Sequence, residues 1–223
     1  MVNVFSFCIF GKKPKYCQGL LKNIEIIKEY FPDWEVWVYI GDEVPQWLEE
    51  TLHNESNIKM IRTGKVGMEN KVSRFFPIDS SDVDVCIVRD ADSRIHARDR
   101  ACIREFLDSD MKFHIVRDHP NHFHKIMAGM FGIKQGCLSY KIAEAYAWWK
   151  QQYSTDAFWD DTYFLVDVIY PDIKLLSLVH DEHFHHEFPY FKKPFQVAIN
   201  DKNEFIGQVY DFDENGDEYI VHK

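Results

Sequence analysis

The feature that most constrains the fold of this chain is the alternation of short apolar runs with amphipathic segments between residues 2 and 116. Val2–Phe10 is rich in β-forming residues, and the segment after it carries Leu20, Ile24 and Ile27 at helical spacing. Such alternation is typical of a mainly parallel sheet covered by helices on both faces. The predicted strands are Val2–Phe10, Glu35–Ile40, Asn57–Arg62, Val83–Arg89 and Lys112–Val116, and the predicted helices are Tyr16–Phe31, Val44–His53, Arg98–Leu107, Ser139–Gln152 and Phe158–Ile169.

The second half of the chain is less regular but is assigned to the same domain. The chain has 223 residues, of which 46% are hydrophobic, and shows no low-complexity linker at which a second domain would begin. Met127–Ile133 is interrupted by glycines, and the residues after His180 are rich in histidine and aromatic side chains. We therefore expect a single domain over residues 1–223, with an acidic and partly mobile tail from about Asp211.

Charge and cysteine content argue against several classes of protein. The net charge is −10, which argues against the basic surface that nucleic-acid phosphates or anionic membranes require. No apolar run approaches the roughly 18 residues of a membrane-spanning helix, and Val2–Phe10 is too short for a signal peptide. The five cysteines are scattered without a CxxC pair, as in proteins of a reducing compartment. We expect a cytoplasmic monomer that binds no nucleic acid and spans no membrane.

An acidic pair in Asp90-Ala91-Asp92 directly follows the apolar strand Val83–Arg89. In open α/β sheets, ligands bind in the crevice outside the carboxyl ends of the strands. In an extended segment residues i and i+2 point the same way, and two such carboxylates repel each other unless a cation lies between them. Hard ions such as Mg²⁺ and Mn²⁺ complete their shells with substrate phosphates. The pair therefore predicts a metal–diphosphate site, with two solvated loop aspartates as the alternative.

The position of this pair after a strand distinguishes it from the other Asp-x-Asp pairs, and basic residues surround it. In a chain of net −10, these residues form a local positive region that would attract a nucleoside diphosphate. The alternative is that they form salt bridges within the local helix. The other pairs are Asp82/Asp84, Asp108/Asp110 and Asp211/Asp213, and the basic residues are Arg74, Arg89, Arg94, Arg98 and Arg100.

Several segments resemble a family of small GT-A glycosyltransferases, close relatives of which occur in large DNA viruses of algae. The longest is RDADSR…RDHP…AGMFG, which runs from Arg89 to Gly132. The resemblance implies a GT-A fold, in which a Rossmann-like, mainly parallel sheet is sandwiched by helices and a small C-terminal region lies over the donor site. The shorter matches are FSFCIFG at Phe5–Gly11, DDTYFL at Asp160–Leu165, VHD at Val179–Asp181 and FIGQVY at Phe205–Tyr210.

The resemblance also implies a reaction and a set of residues. The reaction is transfer of a hexosyl or deoxyhexosyl group from a nucleotide sugar, taken as a UDP-sugar, to a hydroxyl of a glycan acceptor, with Mn²⁺ or Mg²⁺ as the cofactor. Asp90 and Asp92 would bind the metal, with His180 as a third ligand. The residues implied in donor binding are Ser6, Arg74, Asp90, Ala91, Asp92, Asp118 and His119.

Inverting transfer also needs a carboxylate that takes the proton of the acceptor hydroxyl. Asp161, or its neighbour Asp160, fits that role because both lie near the start of the predicted helix Phe158–Ile169 and within a segment that resembles the family. An aspartate at a helix start is also an ordinary cap or dipole partner. The family usually has Asp-Gln where this chain has Asp161-Thr162.

Two other functions are compatible with the sequence. A metal-dependent phosphoesterase would use Asp90, Asp92 and the histidines, whereas a non-catalytic domain would bind a nucleotide or a sugar without turnover. The run HDEHFHH at His180–His186 has the composition of a zinc site but lacks the HExxH order, so zinc is not predicted. The choice of UDP over GDP rests on the resemblance alone.

Overall fold

The computed structural model describes residues 1–153, 158–186 and 191–221 of the chain. Its main element is an eight-stranded sheet in the order β3-β2-β1-β4-β6-β5-β7-β8. The strands are β1 Val2–Ile9, β2 Glu35–Ile40, β3 Ile58–Arg62, β4 Val83–Arg89, β5 Phe113–Arg117, β6 Met130–Lys134, β7 Ser177–Asp181 and β8 Lys192–Lys193, and a separate hairpin is formed by β9 Tyr210–Phe212 and β10 Glu218–Ile220.

The helices pack on both faces of this sheet, as predicted. None of those in the described part of the chain is long and apolar enough to cross a bilayer. The α-helices are α1 Pro14–Tyr30, α2 Gln46–His53, α3 Ala97–Asp108, α4 Ile142–Tyr153, α5 Asp160–Phe164 and α6 Tyr170–Ile173; a π-helical turn, Leu165–Ile169, joins α5 to α6, and a 3₁₀ helix spans Gly67–Asp79.

The sheet is mainly parallel, which confirms the predicted fold class. Strand β6 runs antiparallel to both of its neighbours, β4 and β5, while the other neighbouring pairs in the sheet are parallel. Strands β1, β4, β5 and β7 therefore end at the same edge of the sheet. Residues that follow these strands are brought together there, although they are far apart in sequence.

Alternating side chains of the strands build two cores, one on each face. On one face Phe5 and Phe7 of β1 pack with Leu20 and Ile24 of α1. On the other face Val4 and Cys8 of β1 belong to a cluster built with Phe75 of the 3₁₀ helix. This alternation within a parallel strand is what the apolar run predicted.

The acidic C-terminal part contains a hairpin that the sequence does not predict. Asp211 and its neighbours form the β9–β10 hairpin, in which Tyr219 pairs with Asp211. The hairpin is held to the body by Arg94, whose Nη2 lies 2.6 Å from Glu218 Oε1. A charged sequence without periodicity therefore forms an ordered element, because its partners come from α1 and the loop before α3.

Strand β6 overlaps Met127–Ile133, the glycine-interrupted segment that the sequence does not predict as a strand. A methyl group at Gly132 would collide with the side chain of Ile87 and crowd Phe106. The glycine thus permits β6 to pack closely between β4 and α3, which is the close approach that a glycine within a strand indicates.

Candidate functional site

Two adjoining cavities open at the edge where β1 and β4 end. The first, which we call the Asp92 cavity, has a volume of about 330 Å³ and is lined by Asp90, Asp92, Lys15, Tyr16 and Phe10, among others. The second, the Asp161 cavity, has a volume of about 370 Å³. The residues that line both cavities are Lys71, Arg74, Asp90, Phe158 and Val209.

The acidic pair lies in a turn rather than in the extended chain assumed from the sequence. The amide of Ser93 donates to the carbonyl of Asp90 at 3.3 Å, which closes this turn. Both carboxylates nevertheless line the Asp92 cavity. The side chain of Asp90 is 44% exposed, whereas that of Asp92 is 13% exposed. Burial raises the pKa of Asp92, and the neighbouring Asp90 raises it further.

Each member of the pair is neutralised by a protein cation. Lys15 Nζ lies 3.1 Å from Asp92 Oδ2, and Arg74 Nη1 lies 2.9 Å from Asp90 Oδ1. Burial is the largest single effect on Lys15 and by itself would lower its pKa, but Asp92 and Tyr16 together more than offset it and the pKa is raised. The two like charges of the pair are therefore compensated without any bound ion.

Arg74 links the two cavities. It is 4% exposed, and its Nη2 donates to Asp161 Oδ2 at 3.1 Å while its Nη1 faces Asp90. The 3₁₀ helix that carries Arg74 is fixed against the sheet by Asn70, whose Nδ2 donates to the carbonyls of Ile9 and Tyr39 at 3.1 and 3.0 Å. This anchor holds the planar guanidinium between two carboxylates, a geometry that suits arginine.

Asp161 lines the Asp161 cavity, whereas Asp160 lines neither of the two cavities. Asp161 Oδ1 accepts from the amide of Thr162 at 2.9 Å and lies 3.3 Å from Lys71 Nζ. Asp160 lies close enough to Tyr146 of α4 to raise the pKa of that tyrosine, after the larger effect of burial. Both are 3% exposed and begin α5, as the sequence predicted. Of the two candidate bases, Asp161 is the one that lines a cavity.

Two glycines make room for the acidic pair. A methyl group at Gly129 would collide with the carboxylate of Asp90, and one at Gly19 would collide with the carbonyl of Ala91. Gly129 precedes β6, and Gly19 lies in α1. The close approach of backbone to the Asp90–Asp92 turn therefore requires glycine on both sides.

Histidines form one wall of the Asp161 cavity. His119 stacks on Phe205 with ring centroids 4.2 Å apart, and His122 lies beside it. Burial lowers the pKa of His119 and lowers that of His122 to about 3. Both rings are therefore neutral near pH 7 and offer nitrogen atoms that donate or accept hydrogen bonds.

The C-terminal segment covers the pair. The amide of Tyr210 donates to the carbonyl of Asp92 at 2.8 Å, and Val209 lines both cavities. Gly207 has a φ of 87°, and a methyl group there would collide with Met130. The expected C-terminal region over the site is present and is attached directly to the backbone of the acidic pair.

The predicted role of His180 as a metal ligand does not fit its position. Its Nδ1 is 2.9 Å from His114 Nε2, and its Nε2 is 2.8 Å from Glu105 Oε2. It is fully buried on β7, which is three strand spacings, roughly 14 Å, from β4. Both ring nitrogens thus have partners far from Asp90.

Two of the residues predicted to bind the donor, Asp118 and Ser6, line neither cavity. Asp118 is 1% exposed and accepts from Arg98 Nε at 2.7 Å and from the amide of Ile206 at 2.9 Å, so it ties the C-terminal segment to the body. Ser6 lies in the middle of β1, and within the described part of the chain its buried hydroxyl has no hydrogen-bond partner. Cys8, two residues further along the same face, is the β1 side chain that reaches the Asp92 cavity.

Most of the five arginines near the acidic pair in the sequence form salt bridges within the protein. Arg89 Nε donates to Asp99 Oδ2 at 2.9 Å, which confirms the alternative of a local salt bridge. Arg94 pairs with Glu218, and Arg98 pairs with Asp118. Arg74 alone of the five lines both cavities. The remaining cations of the site are Lys15 and Lys71, which no motif indicated.

The acidic pair suits a hard divalent cation. Both ligands are carboxylates at a strand end, and the partner of each is a cation that a metal ion would replace. In the described residues no three His, Cys, Asp or Glu side chains converge as a complete metal cage. A metal ion here would therefore complete its shell with water and phosphate oxygens, as Mg²⁺ commonly does.

Comparison with solved structures identifies the fold. The chain is similar to a glycosyltransferase involved in glycosylation of the major capsid protein of PBCV-1, with 12% identity, a TM-score of 0.54, and coverage of 81% of this chain and 82% of that one. The chain described here therefore has the GT-A fold. A galactosyltransferase, LgtC, solved with donor and acceptor sugar analogues, is similar at 13% identity and a TM-score of 0.53, over 80% of this chain and 73% of that one. No protein-family model and no curated protein sequence matches the chain.

Proposed function

We propose that this protein is a metal-dependent glycosyltransferase that moves a sugar from a UDP-sugar to a hydroxyl of a glycan acceptor with inversion. The observation that carries the proposal is the meeting of two cavities at Arg74 and Asp90. One cavity holds the acidic pair, and the other holds Asp161. A donor and an acceptor need this arrangement, since the reacting atoms must meet at a shared boundary.

The Asp92 cavity has the chemistry of a donor site. Phe10, Tyr16 and Met68 offer rings and a thioether to a nucleobase, and Lys71 and Arg74 offer positive charge to a diphosphate. A divalent cation on Asp90 and Asp92 would neutralise charge that develops on the leaving diphosphate. The GT-A fold of the chain is consistent with this placement.

The Asp161 cavity would hold the transferred sugar and the acceptor. His119, Asn121 and Gln208 supply hydrogen-bonding groups, and Trp159 supplies an aromatic face. Asp161 would accept the proton of the acceptor hydroxyl. In the structure its charge is neutralised by Lys71 and Arg74, so it becomes an effective base when the donor phosphates draw these cations away.

A thermal-shift screen tests the proposal. UDP, GDP, CDP, ADP and dTDP are each added with and without Mn²⁺, and a ligand present at about 100 times its Kd stabilises the fold by ~2.7 kcal/mol. We expect UDP with Mn²⁺ to raise the Tm and UDP-sugars to release UDP in the presence of a glycan acceptor. A screen in which no nucleotide raises the Tm contradicts the proposal.

The rival phosphoesterase function has its own readout. It predicts rapid Mn²⁺-dependent hydrolysis of p-nitrophenyl phosphate, with no preference for nucleotides. A non-catalytic binding domain predicts a nucleotide-dependent rise of Tm without release of UDP from any UDP-sugar. These outcomes differ from sugar transfer, so one set of assays separates the three functions.

A further inference from the structure

Lys15 is placed unusually for an ordinary surface lysine. Its ammonium lies 3.1 Å from Asp92 Oδ2 and 4.7 Å above the ring of Tyr16. The side chains of Lys15 and Asp92 are 21% and 13% exposed. Among the described residues, no other ammonium or guanidinium lies within ion-pair distance of the Asp92 carboxylate.

This pair differs from the structural ion pairs of the same protein. Arg89 and Arg98 each bind an aspartate through two nitrogen atoms, and their partners Asp99 and Asp118 are 1% exposed or less. Lys15 instead makes one hydrogen bond to its aspartate, through a flexible side chain at the wall of a cavity. The Lys15–Asp92 pair therefore lacks the paired hydrogen bonds that fix the two arginine–aspartate pairs inside the protein.

The backbone of Lys15 is fixed because α1 is anchored, whereas the lysine side chain is long and flexible. Lys15 belongs to the first turn of α1, and α1 is held against the Asp90–Asp92 turn by Gly19 and by Asn23, whose Nδ2 donates to the carbonyl of Ser93 at 2.8 Å. The four-carbon side chain can move its charge by several ångströms without any movement of α1.

We propose that Lys15 is the counter-ion of Asp92 in the ligand-free protein, that a divalent cation displaces it, and that the displaced ammonium then binds the donor phosphates. The second half of this proposal rests on the proposed function. Lys15 would join Lys71 and Arg74 as a third positive group in the same cavity. One side chain thus opposes binding of the metal ion alone and favours binding of the metal with a diphosphate.

The proposal predicts effects of opposite sign from one substitution. Without Lys15 the Asp92 carboxylate is unpaired, so Mn²⁺ alone should bind Lys15→Met about tenfold more tightly than the parent protein. With Mn²⁺ saturating, UDP should bind the variant about tenfold less tightly, because one charge-assisted contact to phosphate is lost. An ordinary surface lysine would change neither affinity.

Electron paramagnetic resonance of free Mn²⁺ measures the first affinity without nucleotide or activity, and calorimetry with UDP measures the second. Lys12→Met is the matched control, because Lys12 is exposed in the loop just before α1 and its loss changes the net charge equally. Lys15→Arg keeps the charge and should resemble the parent in the Mn²⁺ titration. Circular dichroism melting verifies that each variant is folded.

Mn²⁺ affinity that is unchanged or lower in Lys15→Met, or raised equally in Lys12→Met, overturns the counter-ion role. Absence of Mn²⁺ binding in both the parent and Lys15→Met also overturns it. If the Mn²⁺ affinity rises but UDP affinity is unchanged, the phosphate-binding half is wrong. If Mn²⁺ affinity rises and no nucleotide binds any of the proteins, the counter-ion role stands while the proposed function fails.

Discussion

Arg74 donates through Nη2 to Asp161 Oδ2 at 3.1 Å, and through this contact the 3₁₀ helix that precedes β4 meets the start of α5. The other end of the same guanidinium lies 2.9 Å from Asp90 Oδ1. The proposed metal ligand and the proposed base are therefore coupled through a single buried cation.

Arg74→Lys is expected to break this coupling. A lysine keeps the charge but cannot span two carboxylates, so one of them becomes an unpaired group at the cavity wall. We expect the free energy of unfolding to fall by about 1–3 kcal/mol, and the affinity for UDP with Mn²⁺ to fall at least about tenfold. Urea unfolding and calorimetry measure the two effects. Arg100→Lys is the control, because Arg100 lies over the ring of Tyr30 and lines neither cavity, and it should change neither quantity.

Asp92→Asn is expected to abolish Mn²⁺-dependent nucleotide binding while the protein remains folded. The substitution keeps the shape of the side chain but removes the charge that a hard cation requires. Calorimetry with UDP and Mn²⁺ measures the loss. Asp84→Asn is the control, because Asp84 belongs to an exposed Asp-x-Asp pair. Unchanged UDP affinity in Asp92→Asn would show that the pair binds no metal.

Asp161→Asn is expected to lower the rate of sugar transfer by roughly 10²–10⁴-fold with UDP affinity nearly intact, since a base acts on the acceptor hydroxyl. Asp160→Asn should retain most of the activity because Asp160 lines neither cavity. If Asp161 acts only as a partner of Arg74 and Lys71, UDP affinity should fall together with the rate. An NMR product with retained anomeric configuration would also contradict the role of Asp161.

Gly129→Ala is expected to impair binding more than folding. The added methyl group would collide with the Asp90 carboxylate, which must turn away from Arg74. Gly132→Ala is the matched comparison within the same segment, because its methyl group would meet Ile87 and Phe106 in the core. We expect UDP affinity to fall in the first variant and Tm to fall in the second. The reverse pattern would contradict the placement of Asp90.

Stability is expected to fall as the pH falls below about 6.5, the ordinary pKa of histidine. Burial lowers the pKa of His114, His180 and His122, the last to about 3. In this range the unfolded chain takes up protons that the folded protein does not, so the free energy of unfolding falls by up to about 1.4 kcal/mol per pH unit for each histidine.

Urea unfolding between pH 7.5 and 5 measures this slope. The raised pKa of Asp92 acts in the opposite direction, because that group takes up its proton more readily in the folded state. His122→Gln removes one histidine and leaves Asp92 in place. The slope of the variant should therefore be smaller than that of the parent, and equal slopes would show that His122 titrates normally.

Much of the site depends on contacts that no local pattern contains. Lys15 and Asp92 are 77 residues apart, and Arg74 and Asp161 are 87 residues apart. Neither pair has a spacing or a motif that would reveal it. The family resemblance predicts His180 as a metal ligand. However, His180 lies on β7, and β6 and β5 lie between β7 and β4, the strand that Asp90 follows.

Local sequence patterns were enough to predict the mainly parallel sheet, the helices on both of its faces, and the position of Asp90 and Asp92 after a strand. Each of these follows from periodicity or from neighbours along the chain, which act over a few residues. Three features became visible only in the folded protein. They are the cations that pair with Asp90 and Asp92, the position of Asp161 in the wall of a cavity, and the hairpin formed by the acidic C-terminal segment. Such contacts join distant segments, and they are set by strand order and packing rather than by any local preference.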